Sequence, residues 1–126
     1  MSRPRRLPSR RRGIRTSLVV GYRTVGYVKP SYHGRYDVYV GYSKVGYLTP
    51  SYGGRWDVYV GDSKVGYTKS VRGEQWDVYQ GDSNVGTVKS GYGGRWDVYR
   101  GDSKVGYAGG SPGGPSGAAL LLIIRA

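Results

Sequence analysis

The chain has 126 residues, with 20 Lys+Arg against 8 Asp+Glu for a net charge of +12, and it contains 23 Gly, 14 Tyr and neither Cys nor Phe. That length suits one small domain and excludes a multi-domain enzyme, while the lack of cysteine excludes a disulfide scaffold, thiolate chemistry and a cysteine-based zinc cluster. A membrane-spanning helix needs ~20 apolar residues; the longest such run here, Ala118 to Ile124, has seven.

Taken from the N-terminus, the first element is a charge run. The segment 1–15 holds seven arginines (Arg3, Arg5, Arg6, Arg10, Arg11, Arg12 and Arg15) and no acid, which leaves a net +5 on the remainder. Interrupted by Pro4 and Pro8, such a run repels itself and has no core to join, so residues 1–14 are expected to be disordered. One reading is a solubilising tail. The other is attraction to an anionic surface, either phospholipid at ~1 kcal/mol per basic residue or nucleic acid through counterion release. Arg10-Arg11-Arg12 faintly matches a twin-arginine export signal, but no small-residue cleavage site follows Leu18-Val19-Val20, and an export signal is not expected.

From residue 15 the chain repeats itself. RWDVYVGDSKVGY (55–67) and RWDVYRGDSKVGY (95–107) differ at one place in thirteen, QWDVYQGDSNVGT (75–87) and RYDVYVGYSKVGY (35–47) fall between and before them, and RTSLVVGYRTVGY (15–27) is a decayed first copy. Five units of 20 residues follow, at 15–34, 35–54, 55–74, 75–94 and 95–114, within a domain 15–114. Polarity alternates with period two in each unit, and Gly, Val, Tyr and Trp dominate, so each unit is expected to be a β-hairpin and helix is disfavoured.

With Asp62-Ser63 as a two-residue turn, Val60 faces Val65, Tyr59 faces Gly66 and Val58 faces Tyr67. This register puts Trp56, Val58, Val65 and Tyr67 in the core, with their equivalents Trp76, Trp96, Val78, Val98, Val85 and Val105. It also lays the Tyr59 ring over Gly66 as an aromatic–glycine pair, with Tyr39 over Gly46, Tyr79 over Gly86 and Tyr99 over Gly106. About ten short antiparallel strands left open would expose two adhesive edges, so an all-β, shallow closed barrel with flexible tails is expected, with a linear hairpin solenoid as the rival.

The recurring Tyr/Trp-Asp-Val-Tyr, Gly-Asp-Ser-Lys and Val-Gly-Tyr resemble the repeat of the bacterial β-flower proteins, including the four-fold β-flower group. Those proteins are similar in architecture to the Tubby C-terminal domain and to phospholipid-scramblase barrels. The resemblance covers 35–107 closely and the first unit loosely. It implies a shallow barrel of hairpins around a pseudo-symmetry axis and, through the Tubby-like relatives, a suggestion of membrane association. Five units stand here instead of four, and no phosphoinositide-binding motif of the Tubby-like domains is matched.

The last element is a Gly/Pro/Ser linker, Gly109 to Gly117, leading to the apolar run within 115–126. Tubby-like barrels are filled by an apolar C-terminal helix, and the same role as a plug or cap is expected for this run; a weak membrane anchor is the alternative.

Catalytic chemistry is not expected. His33 is the sole histidine and stands in a turn; without Cys no Cys–His dyad exists, and Gly21 to Gly26 lacks the Lys-Ser/Thr of a phosphate-binding loop. Asp37, Asp57, Asp77 and Asp97 would form a ring on closure. Arg35, Arg55 and Arg95, each two residues earlier, and nearby lysines favour ion pairing over cation binding. Asp62, Asp82 and Asp102 are assigned to turns. No cofactor or metal is expected. The candidate surface-binding residues are Arg3, Arg5, Arg6, Arg10, Arg11 and Arg12 together with Tyr32, Tyr52 and Tyr92, which share one rim beside Lys29, Lys69 and Lys89. The expected function is a non-catalytic module on anionic phospholipid, cytoplasmic or peripheral at the membrane; nucleic acid bound through the tail and a structural or glycan-binding role are the alternatives.

Overall fold

A computed structural model describes residues 15–124. Its ten strands are β1 (Thr16–Val20), β2 (Arg23–Pro30), β3 (Tyr36–Val40), β4 (Ser43–Pro50), β5 (Arg55–Val60), β6 (Ser63–Arg72), β7 (Gln75–Gln80), β8 (Ser83–Ser90), β9 (Trp96–Arg100) and β10 (Ser103–Ala108). Each strand pairs antiparallel with its sequence neighbours, and β1 pairs with β10 through Leu18–Ala108 and Val19–Tyr107 to close the barrel. Closure leaves no sheet edge to be covered. The expected closed barrel is therefore the observed one, and the solenoid is not.

The hairpin register differs from the expected one. The narrow turn is Gly61-Asp62, with Gly61 at φ +58°, so Val60 faces Ser63 and Tyr59 faces Lys64. Val65 is then an extra residue, a bulge, after which Val58 faces Gly66, Asp57 faces Tyr67 and Trp56 faces Thr68. One inserted residue reverses the in–out parity of the rest of the strand. Tyr67 consequently points outwards and Gly66 and Thr68 inwards, contrary to the sequence expectation. The proposed Tyr59–Gly66 pair does not form. Nor do Tyr39–Gly46, Tyr79–Gly86 and Tyr99–Gly106, because those tyrosines face Lys44, Asn84 and Lys104.

The wall of the core is a double ring. First strands supply Leu18, Val38, Val58, Val78 and Val98, and second strands supply Val28, Leu48, Thr68, Val88 and Ala108, all essentially unexposed. Trp56, Trp76 and Trp96 and the bulge residues Val65, Val85 and Val105 are half-buried and pack against this ring. Thr68, alone among the second-strand set in being polar, donates its Oγ1 hydrogen to the Asp77 carbonyl at 2.7 Å.

The barrel is filled by the C-terminus. The linker is shorter than expected: after Pro112 the chain enters helix α1 (Gly113–Ala119), buried along its whole length, and continues as a π-helical turn, Leu120–Ile124. Small residues let α1 approach the wall. A Cβ on Gly113 would stand 2.2 Å from the Trp96 ring, one on Gly114 2.2 Å from the Trp76 ring, and one on Gly117 2.6 Å from Val88.

The π-helical turn fits the barrel residue by residue. A Cβ placed on Gly106 would lie 2.9 Å from Leu120 Cδ2, on Gly86 2.6 Å from Leu121 Cδ1, and on Gly66 2.8 Å from Leu122 Cδ1; Gly46 and Gly26 receive Ile123 and Ile124 in the same way, at 3.2 and 3.5 Å. Five consecutive side chains thus address five successive hairpins. An α-helix turns 3.6 residues per revolution and could not do this, whereas the wider i→i+5 turn spreads five residues around about one revolution. The same glycines also lie under a neighbouring carbonyl, since a Cβ on Gly66 would be 2.2 Å from the Tyr79 oxygen.

Candidate functional site

The outward face of the barrel carries a recurring polar cluster. In the third unit, Lys64 Nζ lies 3.2 Å and Arg55 Nη2 3.5 Å from Asp57 Oδ1, and the Arg55 guanidinium covers the Tyr67 ring at 4.1 Å. The second unit has Lys44–Asp37 at 3.2 Å with Arg35 over Tyr47 at 3.7 Å, and the fifth has Lys104–Asp97 at 3.1 Å with Arg95 over Tyr107 at 4.1 Å. Asp37, Asp57 and Asp97 therefore serve as ion-pair partners, of the lysine in all three units and of the arginine two residues earlier in the third and fifth. The fourth unit keeps Asp77 but replaces its partners together, with Gln75, Asn84 and Thr87 where the second, third and fifth units have Arg, Lys and Tyr.

Between hairpins the tyrosines meet. Tyr27–Tyr39, Tyr47–Tyr59 and Tyr67–Tyr79 stack at centroid separations of 4.9, 4.7 and 4.9 Å with interplanar angles of 6°, 10° and 10°. Each stack is capped by an arginine, so the order around the wall is Arg–Tyr–Tyr. Sequence reasoning missed this ladder because the bulge was not anticipated. The joint replacement at Gln75, Asn84 and Thr87 was the signal that these positions form one unit.

The two rims differ in chemistry. The narrow-turn rim carries Tyr22 and Tyr42, both fully exposed, beside the exposed Asp62, Asp82 and Asp102. On the opposite rim, three wide turns (Tyr32–Gly34, Tyr52–Gly54 and Tyr92–Gly94) project Tyr32, Tyr52 and Tyr92, which are 80%, 90% and 91% exposed. Each turn places its second residue in the left-handed region, at His33, Gly53 and Gly93. The Ser31 amide donates to the Arg35 carbonyl, and the Arg35 amide to the Tyr32 carbonyl, which locks the turn. The strand ends add exposed Lys29, Lys69 and Lys89, and Arg72 ends β6 at the tighter third turn, Gly73-Glu74. Arg15, the first described residue, joins the barrel on this rim.

The structure thus brings Tyr32, Tyr52 and Tyr92 onto one rim with these cations. Arg3, Arg5, Arg6, Arg10, Arg11 and Arg12 lie outside the described residues. His33 is exposed in its turn, and among the described residues no group of three or more His, Asp or Glu converges. Leu120, Leu121 and Leu122 are inside the barrel, so in this structure the apolar run is committed to the plug, not presented for membrane insertion. No described helix is long and apolar enough to cross a membrane. The outer wall bears the charged clusters above in place of the apolar band of a membrane barrel. Comparison with protein-family models, curated proteins and solved structures found no match.

Proposed function

We propose that this barrel is a non-catalytic module that docks on anionic membrane surfaces, as a peripheral protein, with the wide-turn rim facing the lipid headgroups. The observation that carries this reading is the alignment of Tyr32, Tyr52 and Tyr92 on one rim at 80–91% exposure. An amphipathic ring held out on a short, hydrogen-bonded turn suits the headgroup layer, where Tyr is enriched. Exposed Lys29, Lys69, Lys89 and Arg72 stand at the strand ends of this rim, and Arg15, where the Arg-rich segment is joined, lies at the same end, so the rim offers charge attraction beside ring insertion. The apolar C-terminus takes no part, because its side chains fill the barrel. The β-flower resemblance favours the same reading by analogy of architecture.

Co-sedimentation of the full chain with vesicles of phosphatidylcholine alone, or mixed with phosphatidylserine, tests this. The full chain is expected to pellet only with the mixed vesicles. The triple variant Tyr32→Ser, Tyr52→Ser, Tyr92→Ser should bind less and lose the remainder in high salt. No pelleting of the full chain, with tight binding to a single-stranded oligonucleotide, would replace the membrane by nucleic acid as the partner.

A further inference from the structure

Grooves run down the outer wall between neighbouring hairpins, and the one at the closure seam differs from those between the second and third units and between the fourth and fifth. Between the second and third units the groove holds about 210 Å³ and is lined by Arg35, Lys44, Tyr47 and Asp62, among others. The seam groove between β10 and β1 holds about 500 Å³ and is lined by Arg95, Lys104, Tyr107, Val19, Thr24 and Tyr22, among others. Three substitutions account for the difference. Val19 stands where Tyr59 stands in the smaller groove, Thr24 where Lys64 stands, and Tyr22 where Asp62 stands. The first removes the second ring of the stack, the second puts a short side chain into the lining where Lys64 turns away to Asp57, and the third removes the carboxylate from the lining.

Tyr107 therefore keeps its arginine cap on one face, at 4.1 Å, and among the described residues has no ring on the other. We propose that the seam groove is a binding site for a small planar aromatic anion, whose ring takes the place that Tyr59 takes beside Tyr47. The shape requirement comes from the molecule itself, since the other occupied positions hold flat rings at 4.7–4.9 Å and nearly parallel. The charge requirement comes from Arg95 and Lys104. Asp97 pairs with both, at 3.8 and 3.1 Å, and leaves one positive charge uncompensated at the groove. The neighbouring groove between the fourth and fifth units is a built-in control. It also lacks one ring, with Thr87 beside Tyr99, but it carries Gln75 in place of the arginine, and its one lining cation, Lys89 at 5.3 Å over the Tyr99 ring, is matched by the Asp102 carboxylate in the same lining.

The affinity of one stack plus one exposed cation is on the order of 1 mM. An amide-detected NMR titration of the full chain with phenyl phosphate reads this directly, with inorganic phosphate and benzyl alcohol as arms that carry the charge alone and the ring alone. Saturable shifts are expected at Gly21, Tyr22, Thr24 and Gly106, with none at Gly46 and Gly61 of the filled groove. Val19→Tyr completes the stack from within and should weaken phenyl phosphate at least ~10-fold. Should that variant fail to fold, Tyr107→Thr, which copies the natural Thr87, must give the same loss. Equal binding by inorganic phosphate, shifts of equal size at Gly46 and Gly61, or binding that survives Val19→Tyr or Tyr107→Thr would each overturn the proposal. A complete absence of shifts with phenyl phosphate would do so as well.

Discussion

Replacing Gly86 by Ala separates the two constraints that meet at the repeat glycines. The added Cβ would lie 2.3 Å from the Tyr99 carbonyl oxygen and 2.6 Å from Leu121 Cδ1. The second overlap is with the end of a side chain, and relieving it costs ~1–3 kcal/mol of repacking. The first is with backbone held in the β8–β9 ladder, and moving it sacrifices hydrogen bonds worth ~1 kcal/mol each. Leu121→Ala alone removes a side chain that is 4% exposed and leaves a cavity, for ~2–5 kcal/mol. Urea unfolding followed by tryptophan fluorescence is a suitable assay, because Trp76 and Trp96 touch the plug at Gly114 and Gly113. The double variant should be more stable than the sum of the single losses by ~1–2 kcal/mol, the part that belongs to the side-chain overlap. It should still be less stable than Leu121→Ala by ~1 kcal/mol or more, the part that belongs to the carbonyl. Strict additivity would mean that Leu121 does not seat on Gly86. Equality with Leu121→Ala would mean that the carbonyl imposes no constraint.

Two further outcomes follow from the wall and the plug. Ser116 is wholly buried in α1 and its Oγ has no hydrogen-bond partner among the described residues, so Ser116→Ala should raise stability by ~1 kcal/mol in the same unfolding assay; a loss would reveal a partner for the hydroxyl. Restoring the outer cluster of the fourth unit with Gln75→Arg, Asn84→Lys and Thr87→Tyr should add a third-unit-like stack beside Tyr99 and stabilise by ~1–2 kcal/mol, read as a higher urea midpoint at unchanged slope.

Much of this architecture was legible because the 20-residue period states the topology outright. Near-identical hairpins have no natural end, and closure is the way to remove both edges, so the barrel followed from Arg-Trp-Asp-Val-Tyr recurring with alternating polarity. The parity of the second strands was not legible. Val65-Gly66-Tyr67 reads equally well in either register until something shows that Val65 is unpaired, and the close approach that goes with it is to the Tyr79 carbonyl of the next hairpin, outside the unit. The wide-turn tyrosines were readable from Ser-Tyr-Gly-Gly alone, since a turn residue before Gly-Gly has no core to enter. The seam groove was not, because Val19 and Thr24 look like decay of the first copy until β1 is seen beside β10. For the same reason the plug could be expected from the apolar run, whereas its one-residue-per-hairpin fit could not.

That fit has a consequence for how the molecule finds a single arrangement. A lining with near five-fold symmetry offers an axial insert five almost equivalent settings, each one step of the ring apart, much as an index plate offers identical notches. Leu and Ile differ too little in size to select among them. The other end narrows the choice to two: Gly113 and Gly114 are admitted beside the neighbouring pair Trp96 and Trp76, which Trp76 and Trp56 repeat, whereas the same level of the ring carries Thr16 in the first unit and Tyr36 in the second. The Thr16 hydroxyl further ties the incoming chain by donating to the Ser111 carbonyl. The irregular first unit is thus the mark by which the insert is indexed, and a barrel of five perfect copies would hold its plug in a mixture of rotations.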